Sequence, residues 1–348
     1  MNHILIGSLD QGGAERQVSY LSQKDFIDTV FSFTNINFYQ VDKHRSILSI
    51  FNMNKIALLL FAPFALAIRI SSRDTVISFM ELSNVINILT KLIKRHNAIV
   101  SVRTNLNRFK SSFIKYTFLK LIILLYKFSN LIIINSEEGK SILVQLGLPQ
   151  DKIKVVVNAL DLDSIKKLQT SKKAYKSILY CGRFNSVKNI HGLLNVFKEL
   201  NSRDPEYRLC LIGDGPLRNE IEEYLINNNL TEKVDLVGLQ KNPFNYFYPG
   251  SILLLTSFNE GLPNVLIEAM ACGLPIISSD CKTGPSEIIK DKYGVLLPIP
   301  INTTDYKLWV NSILNVNENY DYYKKLSIER ANMFELNTIM NTWKSYIS

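Results

Sequence analysis

The feature that most limits what this chain can fold into is a rhythm. Short continuous apolar runs alternate with segments of helix length: HILIG and a helix from about Ala14 to Lys24, TVISF and a helix from Leu82 to Lys94, AIVSV and a basic helix, LIIIN and SEEGKSILVQLG, then KVVVN. Strands that are apolar on both faces need both faces covered, and a helix after each strand does this, so the rhythm predicts a parallel sheet between helical layers. A polar, lysine-rich stretch, DSIKKLQTSKKAYK, interrupts it and reads as a linker. The rhythm resumes with SILYCG, RLCLIG, VDLVG, ILLLTS and PIISS. Two doubly wound α/β domains facing a cleft follow, over residues 1–165 and 166–329, with a C-terminal helix over about 330–348 packing back on the first. A length of 348 residues suits two cores of ordinary size.

Several classes are disfavoured. The apolar stretches KIALLLFAPFALAIRI and FLKLIILLYKF fall short of the ~20 residues that a spanning helix needs. MNHILIGSLD lacks a basic region followed by a long apolar core and reads as a strand, not a secretory signal. Cys181, Cys210, Cys272 and Cys281 form no CxxC pair and have no neighbouring histidine at ligand spacing. They are expected as buried reduced thiols, which favours a cytoplasmic protein. Asp161-Leu162-Asp163 imitates a metal-binding Asp-x-Asp but sits at the linker, and the four histidines are scattered, so no metal is expected.

Charge is uneven. Residues 1–160 hold 19 Lys and Arg against 10 Asp and Glu, whereas residues 161–348 hold 21 of each, so the net +9 belongs to the first half. No acid occurs between Glu81 and Glu137, and aromatic residues interleave with the cations in RFKSSFIKYTFLKLIILLYKF. This is either a core helix with solvated lysines or a contact surface for an anionic membrane, where basic residues attract acidic lipid and aromatic rings settle among headgroups. Lys110, Lys115 and Lys120 are the candidate membrane contacts, although their spacing does not keep them on one helical face. No nucleic-acid-binding motif accompanies the charge.

Ligands of doubly wound sheets bind at the carboxyl ends of the strands. After the first strand, Gly12 and Gly13 permit a close turn into a helix whose free N–H groups suit an anion. After SILYCG, Arg183 and Lys188 stand five apart, one a planar fork and one a point charge, a pair able to clamp a diphosphate. The loop GDGPLR lacks the third glycine of a dinucleotide fingerprint, because Arg218 takes its place, so a nicotinamide-dependent oxidoreductase is rejected. In SFNEGLPNVLIEAMACGLPIISSD, Glu260 lies in the loop after a strand and Glu268 within the next helix. Carboxylates there can accept hydrogen bonds from sugar hydroxyls while the N–H groups of Gly261, Leu262, Pro263-Asn264 face phosphate, proline itself donating none.

These motifs together resemble glycosyltransferase family 4, the retaining nucleotide-sugar glycosyltransferases with the GT-B fold of two Rossmann-like domains. Glu260 and Glu268 match its E-x7-E signature. GGAER, NSEEGKSIL, KIKVVVNALD, YCGRFNSVKNIHGLL, LCLIGDGP and VDLVG occur in the family's order and spacing over about 300 residues. Asn158-Ala159 departs from the Asn-Gly of many members.

The resemblance implies that Arg183 and Lys188 bind the donor diphosphate, that Glu268 holds the ribose, and that Glu260 with the backbone of Gly261 to Asn264 faces the donor sugar. It implies further that the Leu239 backbone contacts the base and that Gly13 approaches the phosphates. Where some relatives have a histidine this chain has SVRTN, so Arg103 and Asn105 become catalytic candidates. The implied reaction transfers sugar from a nucleotide diphosphate sugar, UDP-linked, to a polyprenyl-diphosphate-linked or polysaccharide acceptor, with the nucleotide sugar as substrate and no cofactor. It is expected on the cytoplasmic face of a bacterial membrane, peripherally attached. Two rivals are a sugar-nucleotide 2-epimerase of the same architecture and a non-catalytic sugar-nucleotide-binding module.

Overall fold

The computed structural model describes residues 1–10, 12–34, 38–48, 54–103, 113–169, 176–281 and 284–347, with the backbone alone at 113–115. The chain divides into two compact units, Met1–Ala159 with Leu336–Ser348, and Leu160–Glu335.

The first unit runs β1 Asn2–Ile6, α1 Gly13–Ser22, β2 Thr29–Ser32, β3 His44–Ser46, α2 Lys55–Arg69, β4 Thr75–Phe79, α3 Glu81–Lys94, β5 Asn97–Val102, α4 Phe113–Tyr126, β6 Leu131–Ile134, α5 Glu137–Gln145 and β7 Ile153–Val155. Among the described residues its sheet has seven parallel strands in the order β3-β2-β1-β4-β5-β6-β7. Central strands such as β4, TVISF, are buried along their whole length, as continuous apolar character requires of a sheet covered on both sides.

The second unit runs α6 Leu162–Leu168, β8 Ser177–Cys181, α7 Ile190–Arg203, β9 Arg208–Ile212, α8 Arg218–Asn227, β10 Val234–Gly238, β11 Ser251–Leu255, α9 Asn264–Ala271, β12 Ile276–Ser279, α10 Pro285–Ile289, β13 Val295–Leu297, α11 Thr303–Glu318 and α12 Tyr320–Asn332. Among the described residues its sheet has six parallel strands in the order β10-β9-β8-β11-β12-β13. The strand order reverses between β8 and β11, which pair directly through Leu179 and Leu253. That switch point opens a crevice at the carboxyl edge of a doubly wound sheet.

The last helix, α13 Leu336–Ile347, belongs to the first unit, where Ile339, Met340 and Trp343 join Ile4, Ile6 and Phe79 in one core.

Three expectations change. The segment read as a linker begins with α6, capped by Asp161, whose carboxylate accepts from the Ser164 N–H and hydroxyl. Asp161 is thereby a helix cap, a common use of Asp at this position. Leu162 and Ile165 are buried and Gln169 donates to the Phe247 carbonyl at 2.7 Å, so α6 is tied into the second unit and the boundary falls at Ala159, not at 165. That unit also extends to Glu335, not 329, because Arg330 on α12 donates to the Ile288 and Glu287 carbonyls, each at 2.7 Å. Strands β2, β3 and β13 had no place in the expected rhythm; each has only three or four residues, too few to register as a periodic run.

All four cysteines are free thiols. Among the described residues no helix is long and apolar enough to cross a membrane.

Candidate functional site

The loops leaving β8 and β11 meet at the switch point of the second sheet. After β8, Asn185 caps a short turn over Ser186–Lys188 by accepting from the Lys188 N–H. Asn189 then adopts a left-handed φ of 49°, a conformation Asn tolerates better than most residues, and caps α7 by accepting from the Gly192 N–H. The Thr256 hydroxyl, just past β11, donates to the carbonyls of Lys188 and Asn189, and the Phe258 N–H donates to the Val187 carbonyl at 2.8 Å. These bonds fix where Lys188 starts. Its Nζ ends 2.6 Å from Glu260 Oε1, which also accepts from the Ser257 hydroxyl. Glu260 is buried and Lys188 partly so, leaving a preorganised ion pair at the strand exits.

Arg183 lies on the same loop and is exposed. Its flanking residues are pinned to the loop after β9: the Gly182 N–H donates to the Ile212 carbonyl and the Phe184 N–H to the Asp214 carbonyl, both at 2.9 Å. Here the GDGP glycines find their use. A Cβ on Gly213, at φ 138°, would overlap the Gly182 carbonyl oxygen, and one on Gly215 would overlap that of Phe184. The motif that imitates a dinucleotide fingerprint is a brace for the Arg183 loop.

Glu268 projects from α9 and is buried. Its charge, after burial, helps push the Cys181 thiol at the end of β8 up to about 12, while Lys188 acts in the opposite sense. Glu268, Lys188 and the β8 terminus thus share one electrostatic neighbourhood. Helix α9 opens at Asn264 after Pro263, which offers no side-chain cap to its first N–H groups. Those groups suit an anion. Beside them, a Cβ added to Gly261 would meet open space, whereas Gly284, at φ 85°, approaches so closely that its Cβ would overlap the Gly261 carbonyl. Leu262 is buried, and Leu239 is 69% exposed just beyond β10.

In the first unit, Gly13 is exposed and opens α1 beyond β1. Gly12 has an ordinary extended φ of −169°, so no special turn is needed there; a Cβ would instead strike the Glu15 carboxylate. Sequence reasoning missed Gln17, whose buried amide accepts from the Ala159 N–H at 2.7 Å and donates to its carbonyl at 2.9 Å.

Arg103 is placed by packing. It donates to Ser101 Oγ, the Val156 carbonyl and Asn158 Oδ1, and its guanidinium lies 5.4 Å from the Trp343 ring and 5.6 Å from that of Phe79. Burial lowers its pKa to about 9. These contacts tie Arg103 to β5, the exit of β7 and α13, while its Nη2 has no hydrogen-bond partner among the described residues. Asn105 and Lys110 lie outside the described residues, as does the side chain of Lys115. Lys120 is exposed on α4, its Nζ 4.8 Å from the Tyr116 ring centre.

The family model for glycosyl transferases group 1 matches residues 162–330. An uncharacterized glycosyltransferase of Methanocaldococcus jannaschii is 30% identical over 321 residues, covering 79% of this chain and 79% of the relative. This chain belongs to the group 1 glycosyltransferases. The transferase is also 29% identical, over 95% of both chains, to the N-acetylgalactosamine-N,N'-diacetylbacillosaminyl-diphospho-undecaprenol 4-alpha-N-acetylgalactosaminyltransferase of Campylobacter jejuni. Its fold matches the crystal structure of Anabaena HepE in complex with UDP, with a TM-score of 0.81, 17% identity and coverage of 99% and 98% of the two chains. The GT-B fold of this glycosyltransferase is established by that likeness.

Proposed function

We propose that this glycosyltransferase moves a hexosyl group from a UDP-linked sugar to a glycan carried on a polyprenyl diphosphate, with retention of anomeric configuration and without a metal, in the assembly of a bacterial surface or lipid-linked glycan. The observation that carries the donor half is the Lys188–Glu260 pair beside Arg183, at the strand exits of the second sheet. Bond cleavage leaves negative charge on the outgoing diphosphate. Lys188, Arg183 and the N–H groups at the α9 start would stabilise it, each well-placed donor contributing about 3 kcal/mol. Glu260 would keep Lys188 oriented before the donor arrives and accept from a sugar hydroxyl afterwards, while Glu268 holds the ribose. Gly13 and the backbone at Leu239 remain the proposed contacts to phosphate and base.

The acceptor half rests on similarity to the Campylobacter relative, whose name specifies a diphospho-undecaprenol-linked substrate. An acceptor of that kind lies in a membrane, so the enzyme would work at the cytoplasmic face, peripherally attached.

The test is UDP release from a panel of UDP-sugars, with and without an undecaprenyl-diphosphate-linked glycan, in excess EDTA. Acceptor-dependent release that persists in EDTA, with an axial product anomer by NMR from an axial donor, is the expected result. Conversion of the donor sugar without transfer would favour the epimerase. Donor binding with no turnover for any acceptor would favour a binding module, and loss restored by manganese would overturn the metal-free reading.

A further inference from the structure

Two helices of the first unit are apolar on the side that faces away from their core. On α2, Ala62, Pro63 and Leu66 are buried, while Ile56, Leu60, Phe61, Phe64 and Ile68 are exposed, at the three- and four-residue steps of a single helical face. The only charges in α2 are Lys55 and Arg69, at its two ends. On α4, Leu119, Ile122, Ile123 and Tyr126 fill the core, whereas Phe118, Leu121 and Leu124, with Phe128 just beyond, form a second exposed stripe. Lys120 on α4 and Lys127 just after it are both exposed. The two stripes flank one opening: a groove of about 450 Å³ has Leu59 of α2 and Phe118 and Leu121 of α4 in its walls, with Lys55 and Glu81 beside them. Apolar side chains gathered this way are far denser than the scattered exposed residues of an ordinary surface.

Charge says what covers this face. From Lys43 to Ser136 the chain has fourteen lysines and arginines and only two acids, Asp74 and Glu81. Lys55 and Arg69 at the ends of α2, Lys120 on α4 and Lys127 just after it are exposed cations beside the apolar stripes, an arrangement that complements a layer with anionic headgroups above hydrocarbon.

We propose that α2 and α4 form a monotopic insertion face: α2 lies in the plane of an anionic bilayer, its Leu60, Phe61 and Phe64 side chains enter the hydrocarbon boundary, and the lysines at its rim meet lipid headgroups. This deepens the membrane reading given above and rests on it for why a transferase meets a bilayer. It differs from attachment through the basic run at Lys110, Lys115 and Lys120 in its dependence on salt. Electrostatic contact alone is screened within about 8 Å at physiological ionic strength, whereas burial of apolar surface persists.

The experiment is flotation of the whole chain with vesicles of phosphatidylglycerol and phosphatidylethanolamine, with neither donor nor acceptor present, so that its outcome is independent of any transferase assay. Wild-type protein should float, and raising sodium chloride to about 0.5 M should weaken binding no more than about threefold. The triple variant Leu60→Gln/Phe61→Gln/Phe64→Gln, which alters only exposed positions, should bind at least about tenfold more weakly with an unchanged melting temperature. Trp309 and Trp343 are fully buried, so a Phe61→Trp variant supplies an accessible reporter, and brominated lipid should quench it. Failure of the wild type to float, equal binding by the triple variant, abolition by salt, or an unquenched reporter would overturn the proposal. So would a wild-type dimer that the triple variant converts to monomer, which would give this face to a second copy of the chain.

Discussion

Lys188 Nζ lies 2.6 Å from Glu260 Oε1, joining loops that leave adjacent strands although 72 positions separate the two residues. The pair aims the cation at the strand exits. Lys188→Met should lower kcat by about a hundredfold or more, as expected for losing one preorganised electrostatic donor. Because it also removes the cation that compensates a buried carboxylate, its melting temperature should fall. Adding Glu260→Gln should restore part of that stability but none of the turnover. Thermal melts and steady-state kinetics on the two singles and the double check this cycle, and a double variant less stable than either single would contradict it.

Glycine position should separate bracing from substrate contact. Gly213→Ala places a methyl against the Gly182 carbonyl at a positive φ and should cost about 1–3 kcal/mol of stability while displacing Arg183. Gly261→Ala enters open space. It should leave the melting temperature alone and raise the donor KM. Urea unfolding alongside donor kinetics distinguishes the two.

Arg103 is held by three hydrogen-bond acceptors and two aromatic faces. Lysine cannot reproduce that planar fork, so Arg103→Lys should destabilise the first unit by about 1–3 kcal/mol. UDP binding, measured by calorimetry, should stay near wild type below the unfolding transition. A variant of wild-type stability with turnover abolished would give Arg103 a catalytic role instead.

A buried histidine should make stability depend on pH. Burial, and after it the charge of Lys91, lowers the His96 pKa from the ordinary 6.5 to about 4. Its Nε2 lies 2.8 Å from Asn87 Oδ1, and since the Asn87 amide already donates to Val76, Ser78 and Ile99, the imidazole is the donor in this contact. Its Nδ1 has no partner among the described residues, so a second proton would be buried unpaired. The unfolded chain takes up this proton near pH 6.5 and the folded chain only near pH 4. Stability from this group is therefore complete above about 6.5 and declines by about 1.4 kcal/mol per pH unit down to about 4. Chemical unfolding at stepped pH should show His96→Gln with a shallower loss across that window than wild type.

What the amino-acid order alone determined is the doubly wound architecture and the composition of the loops that meet at its switch point. Both are local signals: strands such as TVISF are apolar on both faces, and the acids, glycines and cations of EGLPNVLIEAMACG and RFNSVKN are near neighbours in the chain. The tertiary structure decided which residues meet. Arg103 meets Trp343 only because α13 returns from the far end of the chain. GDGP looks like a failed cofactor motif until β9 pairs with β8 and brings Gly213 against Gly182. The stripes on α2 and α4 are apolar, as are the buried faces behind them. Which apolar face is covered depends on where neighbouring elements pack, and sequence periodicity cannot report that when a helix is apolar nearly all round.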